Sequence, residues 1–200
     1  MVMMKRWIGG LSLGLLLAAC GGAQQGPTAA GQTPETASSE GPAPDTSSAP
    51  TASAEPTGAK PPDFELETLD GSSVRLSDHL GKNVILVDFW ATFCDPCMAA
   101  MPHLDELYKK YKSKGFVVFG VSIDGPDALS LVRTEVRKLG VSFPILLDKE
   151  TRVVALYNPK TSAPYSVLIG RDGRIITKKE GYVTGDANTL ERDIEAALSR

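Results

Sequence analysis

The chain has 200 residues, a net charge of −3 and three cysteines. It has no long run of Lys or Arg and therefore no strongly basic segment that could bind a phosphate backbone. Nucleic acid is not an expected partner. Hydrophobic runs begin only after Asp63, which predicts one modest folded domain behind a segment of low complexity.

Residues 1–19 have the layout of an export signal. Lys5 and Arg6 form a charged start, residues 8–17 form an apolar stretch, and two alanines precede Cys20. The apolar stretch is shorter than the roughly 20 residues that a membrane-spanning helix needs. We therefore predict a signal peptide that is removed, and not an anchor helix.

The run Leu17-Ala18-Ala19-Cys20 resembles the lipobox of bacterial lipoproteins. This resemblance implies that Cys20 becomes the first residue of the mature chain and carries acyl chains, of which more than one gives stable anchoring. We expect an extracytoplasmic protein, periplasmic or on the cell surface, that is attached to a bacterial membrane by lipid. Gly21 follows Cys20, and the choice between inner and outer membrane stays open.

Residues 20–60 are predicted to be the lipidated N-terminus and a disordered tether. The segment beyond Cys20 is rich in Gly, Ala, Thr, Pro and Ser and has no aromatic residue, so it cannot bury enough apolar surface to offset the entropy of ordering. A flexible coil of about 40 residues has a span of roughly 35 Å. Residues 61–200 are predicted to form the domain.

The domain is predicted to open with a hairpin and a buried strand. Segments 64–69 and 73–76 flank Asp70-Gly71, a pair that accepts the positive φ angles of a tight turn. Residues 84–90 form a dense apolar run of β-formers, typical of a central strand that is buried on both faces. Asp88 interrupts this run, and a charge at such a place requires an explanation.

Helices and strands alternate in the remainder of the domain. Apolar residues recur at helical spacing over 96–114, and a second buried strand follows at 116–122, which predicts a right-handed β-α-β unit with parallel strands. A second helix is predicted over 127–139. A closing helix is predicted to begin near Asn188, with Glu191 as in a capping box. The shorter elements are a strand at 145–147, a helix at 151–157 and a hairpin of 167–170 with 174–177.

The two remaining cysteines, Cys94 and Cys97, stand at the predicted start of a helix. Unpaired N–H groups and the positive helix end at this position stabilise a thiolate on Cys94, the form that attacks disulfides. Cys97 lies one turn further and can resolve the mixed disulfide. An exported domain that has its cysteines only in this spacing uses them for chemistry or for metal.

The block from Ile85 to Cys97 resembles thioredoxin, and residues 61–200 resemble the TlpA and ResA group of extracytoplasmic thioredoxin-like proteins. Pro102, five residues after the second cysteine, and the strand at 117–124 also match that group. The resemblance implies an α/β thioredoxin fold: a central mixed β-sheet flanked by helices, with an N-terminal β-hairpin and a helical insert. It also implies thiol-disulfide exchange with no cofactor besides the redox-active cysteine pair.

The same resemblance implies a groove for a partner segment. Pro164 falls where the family has a cis-proline, and the backbone of Ala163 is expected to pair with the partner. Gly181 is expected to leave room for the partner, and Trp90 is expected to line the floor. The other residues expected at the groove are Phe93, Asp95 and Pro96.

Asp88 matches the buried acid of thioredoxin. Burial raises the pKa of a carboxyl group, and a raised pKa would let Asp88 exchange a proton with Cys97 during resolution. The alternative is a charge at the edge of a strand that reaches water. We favour the proton exchange, because Asp88 stands among apolar neighbours.

Two residues depart from the family pattern. Ala100 stands where many TlpA-like and ResA-like proteins carry a Glu, so the role of that acid in cytochrome maturation does not transfer to this chain. Asp95 adds a negative charge between the cysteines, which opposes a thiolate but favours the helix N-terminus. These two effects partly cancel, so they do not predict the reduction potential of the pair.

Three other functions are compatible with parts of the pattern. A copper-binding delivery protein would use soft ligands, of which the candidates are Cys94, Cys97, Met98, Met101 and His103. A thiol peroxidase of the peroxiredoxin type would use Cys94 with Thr92. A structural domain would keep the cysteines as small buried hydrophobes, which explains neither their spacing nor their position. No metal site is predicted.

We therefore predict an extracytoplasmic, membrane-tethered thiol-disulfide oxidoreductase. The family resemblance and Pro96 between the cysteines imply that it reduces disulfides of exported proteins. The expected partners are disulfide-bearing exported proteins, with apocytochrome c and copper-site proteins among the candidates. If the enzyme is reductive, it also needs a membrane thiol protein as electron donor, because the sequence has no nicotinamide or flavin motif.

Overall fold

The computed structural model describes residues 58–183 and 185–200. The predicted signal peptide, the lipidation site Cys20 and the tether up to residue 57 lie outside the described residues, so they remain predictions. Within the described ranges, no helix is both long enough and apolar enough to cross a membrane.

The first described residues are already part of the domain. The N–H of Gly58 donates to the carbonyl of Ile175 at 2.9 Å, and the N–H of Ile175 donates to the carbonyl of Ala59 at 2.8 Å. The predicted boundary at residue 61 is therefore a few residues too late. Composition assigned Gly58 and Ala59 to the tether because small residues carry no signal for pairing with a distant strand.

The described residues form seven strands and four α-helices. The strands are β1 (Glu65–Glu67), β2 (Ser73–Arg75), β3 (Val84–Trp90), β4 (Phe116–Ser122), β5 (Ile145–Leu147), β6 (Tyr165–Ile169) and β7 (Ile175–Glu180). The helices are α1 (Asp95–Tyr111), α2 (Leu129–Leu139), α3 (Arg152–Tyr157) and α4 (Asp186–Leu198).

Five strands form one mixed sheet in the order β5-β4-β3-β6-β7. β3, β4 and β5 run parallel, whereas β6 is antiparallel to β3 and β7 is antiparallel to β6. β1 and β2 form a separate antiparallel pair. The predicted α/β class, the mixed sheet and the N-terminal hairpin are confirmed.

The central strand β3 is buried along its whole length. Successive residues of a strand point to opposite faces, so complete burial means that both faces of the sheet are covered. Asp88 is the one charged residue of β3, and it lies between Gly120 on β4 and Ser166 on β6. The fold thus encloses a carboxyl group at its centre.

The bounds of the helices differ from the predicted ones by one to three residues. α4 begins at Asp186 with Gly185 at the N-cap, which corrects the predicted start near Asn188. Glu191 does not form a capping box. Its carboxylate accepts a hydrogen bond from the hydroxyl of Tyr111 at 2.9 Å. Glu191 therefore joins α4 to α1 and does not cap α4.

Gly120 is a point of close packing beside Asp88. A Cβ atom at this residue would lie 2.8 Å from Phe143 Cε2 and 2.9 Å from Ile145 Cδ1. We expect Gly120→Ala to lower the free energy of unfolding by about 1–3 kcal/mol, because an overpacked core must shift. Gly125→Ala is the matched control, since a Cβ there meets no atom within 4 Å. Urea unfolding of both variants measures the difference, and equal stabilities would contradict this packing.

Candidate active site

The two cysteines lie where β3 passes into α1. β3 ends at Trp90, and Cys94 occupies the N-cap position of α1. The Sγ atoms of Cys94 and Cys97 are joined in a disulfide. Pro96 lies in the first turn, where its missing N–H costs no hydrogen bond, because first-turn donors have no helical partner. The strand, the loop and the helix start together hold the disulfide at one end of the sheet.

The two sulfur atoms have different surroundings. The exposed fraction is 7% for Cys94 and 1% for Cys97. The backbone N–H of Cys97 donates to Cys94 Sγ at 3.3 Å. In the reduced enzyme this N–H and the positive end of the α1 dipole favour a thiolate on Cys94. The arrangement is suited to attack by Cys94 and resolution by Cys97.

Asp88 is buried in β3, two residues before the strand ends at Trp90. It is 7% exposed, and desolvation raises the pKa of its carboxyl group to about 7. Among the described residues, none donates a hydrogen bond to this carboxyl. A carboxyl with a pKa near neutrality can both accept and return a proton at physiological pH. The burial agrees with the sequence prediction and excludes the alternative of a charge in water.

Ala100 faces the same interior space as Asp88. Both residues line one small cavity, and Ala100 is 4% exposed. A glutamate at position 100 would therefore bring a second carboxyl group close to Asp88, and two like charges in a buried space raise each other's pKa. With alanine at this position, Asp88 is the single acid on this part of α1 and β3.

Pro164 is placed by the register between β3 and β6. Phe89 lies opposite Tyr165, so the preceding residue, Pro164, is level with Trp90 at the edge of the sheet where the cysteine loop begins. The Ala163–Pro164 peptide bond is cis, as the family resemblance implies.

Gly181 closes the loop that carries Pro164. Its N–H donates to the carbonyl of Pro164 at 2.8 Å, and its φ is 81°, a conformation that favours glycine. A Cβ at Gly181 would meet no atom within 4 Å, so the space beside it is open. The structure thus places Ala163, Pro164 and Gly181 together at the end of the sheet where β3 passes into the loop that carries the cysteines.

The surface around Cys94 is formed by its neighbours in sequence. Phe93 is 76% exposed, and Asp95 and Pro96 are also exposed. Trp90 differs from the prediction: it is 0% exposed, and its indole N–H has no hydrogen-bond partner among the described residues. Trp90 therefore lies beneath the loop as core and does not form the surface of a groove. Trp90 is the last residue of the buried strand β3, so its side chain packs in the core, whereas the family resemblance implied that it lines the groove.

Asp124 is a site residue that sequence reasoning missed. Its carboxylate accepts hydrogen bonds from the Thr92 N–H at 3.1 Å, from the Thr92 hydroxyl at 2.6 Å and from the Ser122 hydroxyl at 2.8 Å. Asp124 thereby fixes the loop that carries Cys94. The sequence did hold one signal, an acid two residues after the buried strand β4, whose end lies next to the end of β3 in a parallel pair.

The candidate copper ligands on α1 differ in their exposure to solvent. Met101 is 0% exposed, whereas His103 is exposed, with its Nδ1 atom 3.8 Å from the carboxylate of Glu106. Across residues 58–183 and 185–200, no group of three or more His, Cys, Asp or Glu side chains is arranged to hold a metal ion.

Comparison with known proteins places this geometry in a family. The model of the AhpC/TSA family matches residues 57–178. The thiol-disulfide oxidoreductase ResA of a Bacillus cereus strain is 35% identical over 127 residues, which cover 64% of this chain and 71% of the relative. ResA of Geobacillus kaustophilus is 37% identical over 139 residues, covering 70% and 76%.

Solved structures show the same fold. A crystal structure from Chlorobium tepidum, of a protein assigned as the thiol:disulfide interchange protein DsbE, has a TM-score of 0.66 at 34% identity and covers 73% of this chain and 99% of its own. A solution structure from Bacteroides thetaiotaomicron, of a protein assigned as a protein disulfide isomerase, has a TM-score of 0.66 at 29% identity, covering 72% and 90%. The chain therefore belongs to the AhpC/TSA family and is a thioredoxin-like thiol-disulfide oxidoreductase of the ResA type.

Proposed function

We propose that this oxidoreductase reduces disulfides of exported proteins on the outer side of a bacterial membrane, to which lipid on Cys20 tethers it. The observation that carries the proposal is the position of Cys94 at the N-cap of α1, with Cys97 more deeply buried behind it. The leader of residues 1–19 and the lipobox-like run that ends at Cys20 support the location.

The reaction proceeds by two exchanges of sulfur bonds. The Cys94 thiolate attacks a partner disulfide, so that a mixed disulfide forms and one partner thiolate leaves. Cys97 then loses its proton to the carboxylate of Asp88 and attacks Cys94 Sγ, which releases the second partner thiolate. The partner gains two electrons, and the enzyme is left with the Cys94–Cys97 disulfide that the structure contains.

The surface next to Cys94 suits an extended segment of a partner. Exposed Phe93 offers apolar contact, and the backbone at Ala163 offers hydrogen bonds of the kind that bind added strands. Apocytochrome c and copper-site proteins fit this description, because a cysteine pair in an unfolded or extended segment could lie along it. A membrane thiol protein would return electrons to the pair.

The direction of the reaction is tested by the reduction potential of the pair. We expect equilibration with glutathione or dithiothreitol buffers to give a value nearer to that of thioredoxin, about −270 mV, than to that of the strong oxidant DsbA, about −120 mV. A potential at the oxidising end would contradict the reductive direction.

The location is tested by cell fractionation. Wild-type protein is expected in the membrane fraction and the Cys20→Ala variant in the soluble fraction.

A thiol peroxidase is the second candidate, since the AhpC/TSA model matches the chain and Cys94 begins a helix. Thr92, which the peroxidase would use, donates its hydroxyl to Asp124 at 2.6 Å in this structure. Peroxide consumption that saturates and survives Cys97→Ser would favour the peroxidase, whereas its absence favours disulfide exchange.

A further inference from the structure

A small cavity lies beside Asp88, with a volume of about 40 Å³. Its walls come from the sheet and from helices α1 and α4. The polar side chains among them include Asp88, Ser166, Lys179 and Asp186. One water molecule needs roughly 10–15 Å³ of such volume, so the space is large enough for more than one.

Three of these side chains form a row across the sheet. Asp88 on β3 lies opposite Ser166 on β6, and Ser166 lies opposite Lys179 on β7. Residues directly opposite each other point to the same face, and neighbouring strands are about 4.8 Å apart. The row therefore leads from the buried acid towards β7, the last strand of the sheet, over a distance of about 10 Å between Cα atoms.

The inner groups of the row have no partner within the described residues. Neither the Asp88 carboxyl nor the Ser166 hydroxyl takes part in a hydrogen bond with a described residue. Buried polar groups are almost always satisfied by protein or by ordered water, and water in a cavity needs two to four polar partners. Asp88, Ser166 and Lys179 together meet that requirement.

The outer end of the row is an ion pair. Lys179 Nζ contacts the carboxylate of Asp186, the first residue of α4, and their side chains are 23% and 14% exposed. This pair is thus partly open to solvent, unlike Asp88. A lysine has three N–H donors, so Lys179 can bind Asp186 and a water molecule together.

We propose that the cavity holds bridging water and is the route by which Asp88 exchanges its proton with solvent, with Ser166 and Lys179 as positioning residues. The inference rests on the proposed role of Asp88 as the proton acceptor for Cys97. The proton that leaves the Cys97 thiol binds the Asp88 carboxylate and then passes to the cavity water and out beside the ion pair. Asp88 is again a carboxylate, and Lys179 stays protonated throughout.

Several other titratable groups lie around the cavity beside Asp88. His103 on α1 and Tyr182 after β7 line the cavity, Asp186 on α4 faces it, and Cys97 lies near the same end of α1. Among these groups Lys179 carries the one fixed positive charge. Lys179 is paired with Asp186, so it balances a negative charge that would otherwise face the cavity and oppose the ionisation of Asp88.

The test compares Lys179→Met and Ser166→Ala with the control Lys178→Met. Lys178 is the adjacent residue of β7, pairs with Val167 and points to the other face. Two quantities are measured for each protein: the pKa of Asp88 from the NMR shift of its labelled carboxyl carbon, and the single-turnover rate at which Cys97 resolves a mixed disulfide on Cys94, as a function of pH. The first measurement does not require activity.

We expect Lys179→Met to raise the pKa of Asp88, because it leaves the Asp186 carboxylate unpaired beside the cavity. We expect both test variants to slow resolution by roughly three- to tenfold, part of the range that positioned proton transfer supplies, while Lys178→Met behaves as wild type. If both variants match Lys178→Met, or if the pKa moves while the rate does not, the route through the cavity is wrong. If resolution in wild type does not depend on the ionisation of Asp88, the relay itself is wrong, which separates the two failures.

Discussion

Replacing Cys94 with serine is expected to lower the turnover of a model disulfide by about a thousandfold or more. The loss is large because the thiolate is the nucleophile, and removing such a group removes the covalent step itself. Reduction of insulin or of a small aromatic disulfide, followed over time, measures the effect. Cys97→Ser is expected to stop after one exchange, since Cys94 can still attack but nothing resolves the product.

The control for this pair is Ala99→Ser, which puts the same hydroxyl on an exposed position of α1. Its turnover is expected to stay within about twofold of wild type, because surface substitutions have small effects. Retention of more than about a tenth of wild-type turnover by Cys94→Ser would contradict the assignment of the nucleophile.

Replacing Asp88 with asparagine is expected to stabilise the oxidised protein at alkaline pH. In the folded state burial raises the pKa of this carboxyl from 3.8 to about 7. In the unfolded chain the Asp88 carboxyl ionises near pH 4, whereas in the folded chain it stays protonated up to about pH 7. The stability of the wild type therefore falls as the pH rises from about 4 to about 7. Asparagine does not ionise, so the variant does not lose this stability. A pKa difference of one between the two states corresponds to about 1.4 kcal/mol, so the gain approaches roughly 4 kcal/mol above pH 7 and vanishes towards pH 4.

The same variant is expected to resolve mixed disulfides roughly 10- to 100-fold more slowly, because asparagine cannot accept the Cys97 proton. Asp127→Asn is the matched control, since Asp127 is exposed. Urea unfolding at several pH values measures the stability. A difference between Asp88→Asn and wild type that is constant from pH 4 to pH 9 would show that burial does not hold the Asp88 carboxyl neutral.

The local patterns of the sequence predicted most of the fold. The apolar run at 84–90 predicted β3, because an unbroken run of β-formers is typical of a strand that is buried on both faces. The helical spacing of apolar residues after Cys97 predicted α1. The burial of Asp88 followed from its apolar neighbours in the same way. The cis bond before Pro164 came from family resemblance and from no local signal.

The residues that were missed depend on contacts between distant segments. Asp124 binds Thr92, which is 32 residues away, and no period within either segment encodes that pair. Glu191 was assigned to a helix cap, but it binds Tyr111 on another helix. Lys179 entered the site only through the register of three strands. Such pairings require the arrangement of the whole sheet.

The most direct test of the exchange chemistry is mass spectrometry of Cys97→Ser after reaction with a peptide disulfide. We expect one peptide to be joined through a disulfide to Cys94, released by dithiothreitol, and absent from a Cys94→Ser, Cys97→Ser double variant. The same variant expressed with its leader should trap exported proteins on Cys94. Absence of an adduct, or an adduct that persists in the double variant, would contradict disulfide exchange through Cys94 and Cys97.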